Sequence, residues 1–217
     1  MEYTKIQIIA IWIIPVLLAI TIHEASHAWA AFKCGDKTAH MLGRTSFNPM
    51  VHIDLFGTIL VPAVLLWLGG FVFGWAKPVP VITRNLRSPK RDIAIVAAAG
   101  PISNILMAIF WAVVAKISLQ LYVTEHLWWG QPLYYMGMAG ISINIILAVL
   151  NFLPIPPLDG SKVIAAFLPA KIDYEFQKLE PYGMYILIFL MVTNMLSAMV
   201  SPPYKYFYAS IKELFGL

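Results

Sequence analysis

The sequence predicts an all-α membrane protein: a polytopic helical bundle with a small membrane-associated β-hairpin or re-entrant region between its first span and a later span carrying Gly100-Pro101-Ile102-Ser103-Asn104. Three observations lead there. Of 217 residues, 60% are hydrophobic and only 12% charged, at a mean hydropathy of +0.75, whereas a soluble domain carries about a quarter charged residues. Apolar runs of membrane-crossing length recur along the chain. The basic residues behind the net charge of +4 gather in the gaps between those runs, which is how membrane proteins set their orientation and not how a protein meets nucleic acid.

Taken in order, the first run covers residues 8–32. At about 1.5 Å per residue such a helix exceeds the roughly 30 Å hydrocarbon core. Pro15 is a place for a kink, and Lys33 ends the run. It is too long for a cleavable signal, and no small-residue cleavage pattern follows it. Residues 34–53 are polar and mixed, with strand-like character at 44–47 and Gly and Pro punctuation that fits turns. Residues 55–75 are apolar but broken by Gly57, Pro62, Gly69, Gly70 and Gly74. Residues 76–81 read as extended chain, because Pro78 and Pro80 disfavour helix before and at themselves. A span is expected at 93–114, then a loop at 116–132 with Trp128 and Trp129 as headgroup anchors, and a further span at 133–152. A short apolar piece at 163–168, a charged stretch at 169–180 and a last span at 182–200 follow. The tail, with Lys205 and Lys212 among aromatics, reads as interfacial. One cysteine, Cys34, permits no internal disulfide. The whole is expected to be one membrane-embedded domain, 1–217, with its core at 8–168 and a C-terminal span and tail at 181–217.

The chemistry concentrates in His23-Glu24-Ala25-Ser26-His27. On a helix, positions i and i+4 share a face, so both imidazoles reach one ion. Glu24 projects from the adjoining face, towards a water that zinc would bring to a pKa of about 7. Three ionisable groups inside an apolar span are expensive, at about 2.5–3.5 kcal/mol for a central charge, and such groups mark function. Two histidines leave zinc one ligand short of the three that catalytic sites supply. Asp159 stands just past a span, after Pro154, Pro156 and Pro157, where broken backbone at membrane depth requires a protein-buried or watery cavity. It could simply cap the next helix, but His40, His52 and His126 lie in loops with no comparable setting. The ligand set read from the residues is therefore His23, His27 and Asp159, holding one zinc per chain.

The order of three motifs, His-Glu-Ala-Ser-His, Gly-Pro-Ile-Ser-Asn and Asn151-Phe-Leu-Pro-Ile-Pro-Pro-Leu-Asp-Gly160, resembles the site-2 protease family of intramembrane zinc metalloproteases. The segments 43–54 and 73–81 resemble its compact subgroup without PDZ or CBS domains. The resemblance covers about residues 20–165. It implies hydrolysis of peptide bonds in or near transmembrane segments of membrane proteins, with zinc on His23, His27 and Asp159 and with Glu24 as general base. It further implies that Asn104 and Asn151 hold substrate backbone or the oxyanion, and that an extended substrate pairs with the edge of a membrane-embedded strand. Residues 44–47 and 77–81 are the candidates for that sheet.

Bringing the ligands together constrains topology. The loops 33–53 and 77–92 are both basic, so both should be cytoplasmic. The span at 93–114 then runs outward and 133–152 returns, which brings Asp159 to the depth of the histidines only if 55–75 re-enters and does not cross. The expected setting is a multi-pass protein of a prokaryotic cell membrane with its active site towards the cytoplasm. The rival reading is a membrane metal-ion transporter, which would need ligands along a path and often repeated halves; here the ionisable groups share one depth. A scaffold with a structural zinc would leave Glu24 without a role.

Overall fold

The computed structural model describes residues 3–67 and 74–217. Helix α1, Lys5–Cys34, begins at Thr4, whose hydroxyl accepts the Gln7 N–H while the Gln7 side chain accepts the Thr4 N–H. This reciprocal cap satisfies two otherwise orphaned donors. Ile11, Pro15, Ala19, His23, His27 and Ala31 recur every fourth residue as one buried stripe. The stripe turns the two histidines towards protein, while Trp12, Ile13 and Trp29 point outward.

That stripe packs on α4, Pro89–Thr124, and α5, Gly130–Asn151, an antiparallel pair joined through residues 125–129. Their seam is Ala108, Trp111, Ala112 and Ala115 against Ile141, Ile145 and Val149. Small residues on the α4 side let the backbones close, which is how helices associate where lipid is as apolar as leucine. Helices α1, α4 and α5 are each long and apolar enough to cross a membrane. The loop expected at 116–132 is corrected: α4 runs on to Thr124. Lys116 does not end it, because its long side chain reaches out to the Gly216 carbonyl, 3.4 Å away.

Between α1 and α4 lie α2, Thr38–Met41, a 3-10 turn at Pro49–Val51, a π-helical segment at Leu55–Leu60 and α3, Val61–Trp67. The expected β-hairpin is absent: no strand occurs among the described residues. Arg44 turns inward onto the Val51 carbonyl and His52 Nε2 meets the Ser46 carbonyl, folding 44–52 into a compact loop. In the second segment Pro78 and Pro80 offer no N–H to a ladder. The Trp75 N–H donates to the Gly57 carbonyl at 3.0 Å, and the Thr58 hydroxyl to the Trp75 carbonyl at 2.8 Å. The chain thus returns by residue 75 to the level it left at 57. Gly69 and Gly70, expected to help it turn, lie outside the described residues.

After α5 come α6, Asp159–Ala165, α7, Ala170–Gln177, α8, Gly183–Val192, and α9, Met195–Phe215. The span expected at 182–200 is broken at Asn194, which is left-handed (φ 59°). The pieces before and after the break are bent by 79°. One face of the tail packs on the bundle: Tyr204, Tyr208 and Ile211 lie against the α4–α5 seam, and the Tyr204 hydroxyl lies 2.9 Å from that of Ser142.

Candidate metal centre

His23 and His27 sit one turn apart on the buried face of α1, and the α5–α6 turn carries Asp159 onto them. His23 Nε2 and His27 Nε2 are 3.0 Å apart, and each lies 3.2 Å from Asp159 Oδ2. Tetrahedral zinc with bonds of about 2.0–2.1 Å places its ligands about 3.3 Å from one another. The three atoms therefore form one face of such a tetrahedron. Gly160 makes the approach of α6 possible, since a Cβ there would stand 2.3 Å from the Phe152 carbonyl oxygen.

The hydrogen bonds behind the rings determine what these atoms are. His27 Nδ1 is 2.7 Å from the Val96 carbonyl, which can only accept. His23 Nδ1 is 2.6 Å from Asn104 Oδ1. The Asn104 amide is oriented by its nitrogen, which donates to the Ala19 carbonyl (3.2 Å) and to Asn144 Oδ1 (2.9 Å). The Asn144 nitrogen in turn donates to the Gly140 carbonyl. Both Nδ1 atoms therefore serve as the donors to the protein behind them, and both Nε2 atoms are the ones turned towards Asp159. Two imidazole nitrogens and a carboxylate oxygen converge within 3.2 Å of one another. A cation resolves that arrangement, and two nitrogens with one carboxylate suit zinc. The second-layer partners fix ring orientation as they do in metal sites generally.

Glu24 lines a cavity of about 660 Å³ beside the three ligands. Asn151 lines it too; its nitrogen donates to the Leu147 carbonyl, leaving one N–H and the carbonyl oxygen free. Asn104 does not reach it. That side chain is fully enclosed behind His23 (0% exposed), so the expectation that it contacts substrate or an oxyanion is corrected: its amide is committed to His23, Ala19 and Asn144. The lining also includes Pro78, Val79 and Val81 of the non-helical segment after Trp75, and Gln177, Glu180 and Met184. These last three were not singled out by sequence. The amphipathic pattern of 170–177 was the available signal. Val96 could not have been found, because it acts through its carbonyl.

A second polar centre flanks the site. Asp36, just past the Gly35 cap of α1, is fully buried. Burial alone would raise its carboxyl pKa, but hydrogen bonds from Thr38, Asn85 and Ile82 outweigh it and hold the group below the usual carboxylate range.

The sequence profile of peptidase family M50 matches residues 11–127 and 122–194. The chain is 34% identical over 215 residues to YwhC of Bacillus subtilis, covering 99% of this chain and 94% of that one. It is 26% identical over 196 residues to Rip2 of Mycolicibacterium smegmatis, covering 88% and 69%. Both relatives carry the name "putative zinc metalloprotease". A shorter match, 34% identical over 111 residues, is to the regulator of sigma-E protease RseP of Salmonella typhimurium, covering 47% of this chain and 24% of that one. No solved structure matches significantly.

Proposed function

This chain belongs to peptidase family M50 and is an integral membrane zinc metalloprotease of the site-2 type; from that premise we propose that it hydrolyses peptide bonds in or beside transmembrane segments of other membrane proteins, with His23, His27 and Asp159 holding one zinc and Glu24 as general base. The observation that carries the ligand assignment is the convergence of two imidazole Nε2 atoms and one carboxylate oxygen within 3.2 Å. Zinc bound there would supply Lewis-acid activation of water and of the scissile carbonyl at neutral pH.

The chain's own groups do the rest. Val96 and Asn104 hold the two rings in the donor tautomer and the required plane. Glu24, free of hydrogen bonds to other described residues, takes the proton from the attacking water and passes it to the leaving amine. The remaining N–H of Asn151 faces the developing oxyanion. A helical peptide bond is shielded, so substrate must be extended first. Val79 and Val81 offer free backbone on the cleft wall for an extended segment to pair with. Main-chain pairing holds the substrate with little demand on its side chains. The active site faces the cytoplasm, a reading supported by Lys33, Lys37, Arg84, Arg87, Lys90 and Arg91 flanking the same ends of α1 and α4.

The test is a purified chain in detergent with a set of single-span substrates. Wild type should hold about one zinc per chain, as a three-ligand site implies. His23→Ala, His27→Ala and Asp159→Ala should each lose most of it. Glu24→Gln should keep zinc and fold but not cleave, because glutamine accepts a hydrogen bond but not the proton. Full zinc retention in Asp159→Ala would remove that residue from the ligand set, and turnover by Glu24→Gln would end the general-base role.

A further inference from the structure

Asp36 is a buried carboxylate that belongs to no ion pair of the described residues. Its oxygens instead accept four neutral donors: the Thr38 N–H (3.0 Å) and hydroxyl (2.6 Å), the Ile82 N–H (2.6 Å) and the Asn85 side-chain amide (3.0 Å). Desolvating an anion is costly, and only several good donors compensate it. Capping α1 does not require such a group, since the Gly35 N–H already closes onto Ala31 and Phe32. Two of the four donors come from a distant segment that has nothing to do with the cap.

The geometry on either side of Asp36 explains the expense. Its own N–H donates to the Ala31 carbonyl at 2.9 Å, fixing it to the last turn of the helix that carries His23 and His27. Its carboxylate grips residues 82 and 85, and the Arg87 N–H reaches the Cys34 carbonyl at 3.0 Å. At the other end, the Lys77 N–H donates to the His52 carbonyl at 2.9 Å. Between these two anchors, no backbone group of residues 78–81 bonds to another described residue. Pro78 and Pro80 have no N–H, so one edge of the segment lacks donors. The N–H groups that the segment can offer are those of Val79 and Val81.

We propose that Asp36 is a positioning residue: it sets the height and register of the open Val79–Val81 backbone relative to His23 and His27, so that an extended substrate segment paired there presents its scissile bond to the metal centre. This deepens the protease reading and rests on it. The four-residue bridge makes no backbone hydrogen bond of its own, and Val81 packs against the cluster of Ala30, Ala31, Leu86 and Val96. Its backbone is thus placed by that packing and by the two anchors, and the Asp36 anchor is the hydrogen-bonded one built onto the metal-bearing helix. Asp36→Asn turns an amide N–H onto another N–H at Ile82 or Asn85, so the grip opens whichever way the new amide is flipped.

The experiment uses the full chain in detergent with a Cys34→Ser background. Kinetics are measured on a single-span substrate. In a parallel series with Glu24→Gln, Val79→Cys is disulfide-cross-linked to cysteines walked along that substrate. For Asp36→Asn and Asn85→Ala we expect zinc content as in wild type, KM raised about tenfold for loss of a charge-assisted hydrogen bond, and kcat within about threefold. The cross-link, confined to one or two substrate positions with Asp36 intact, should spread over several or shift by one or more. Unchanged KM and an unchanged cross-link position in zinc-loaded Asp36→Asn would overturn the proposal, as would a fall in kcat at constant KM. If Asp36→Asn does not fold, Asn85→Ala, which removes one donor and leaves Asp36 in place, decides alone by the same criteria. A wild-type chain that holds zinc but never cleaves would sink the protease reading, whereas the cross-link needs only binding and still judges Asp36.

Discussion

Replacing Gly100 by alanine tests the metal centre through the packing that makes room for it. A methyl on Gly100 would stand 2.4 Å from His27 Nε2 and 2.6 Å from His23 Cε1, where ordinary contact begins at 3.4 Å. Something must therefore move by about 1 Å. The rings cannot swing freely, because each is held from behind at Nδ1 by the Val96 carbonyl or Asn104. The remaining accommodation is to part α1 from α4. Overpacking of this kind costs a fold about 1–3 kcal/mol, which a bundle of this size can survive. Metal–ligand distances, by contrast, tolerate only about 0.2 Å. Gly100→Ala should therefore remain folded while its zinc affinity falls at least about 100-fold, the upper end of what disturbing a ligand's support alone produces. Chelator competition in detergent, with zinc per chain measured after gel filtration, gives the affinity; thermal melting reports the fold. Wild-type zinc affinity in a folded Gly100→Ala chain would refute the reasoning.

Asn104→Ala should weaken zinc about 10–100-fold in the same competition assay, because His23 loses the acceptor that fixes its tautomer; unchanged affinity would leave Asn104 as an interhelical bond and nothing more. Topology is checked by Asn48→Cys and Arg84→Cys, each placed singly in a Cys34→Ser chain and exposed to an impermeant thiol reagent. Both should label from the same, cytoplasmic side, and labelling from opposite sides would turn 55–75 into a true crossing.

What the sequence could and could not convey depends on the range of each contact. His23 and His27 were legible because their relation is local: four residues on a helix make one face. Asp159 was legible as a carboxylate in a proline-broken stretch at membrane depth, although its distance to the histidines was not. Asn104 was visible as a motif residue, but its role was misassigned. Whether an asparagine faces a cleft or the back of a ligand depends on the rotation of α4 against α1, eighty-one residues away in sequence. The helical stretch past Lys116 was missed because hydropathy treats a lysine as an end, while a snorkelling side chain lets the helix continue. The break at Asn194 depends on a left-handed residue, a conformation asparagine tolerates but does not announce. The strand-like segments met the opposite fate: residues 76–81 are indeed outside any helix, but a ladder needs donors that two prolines remove.

Val96, Gly100 and Asn104 stand four residues apart on α4, one on each successive turn. A single ridge of one helix therefore grips both imidazoles and leaves the hollow in which they meet Asp159. The seam between α1 and α4 and the coordination shell are mechanically one object. An ion seated there fastens two membrane helices and the α5–α6 turn together as well as serving chemistry. A ligand present at about a thousand times its dissociation constant stabilises the state that binds it by about 4 kcal/mol, a large share of what holds a small bundle together. Stripping the metal would thus slacken the very helices that define its socket, and the inactive protein would differ from the active one in rigidity before it differed in shape.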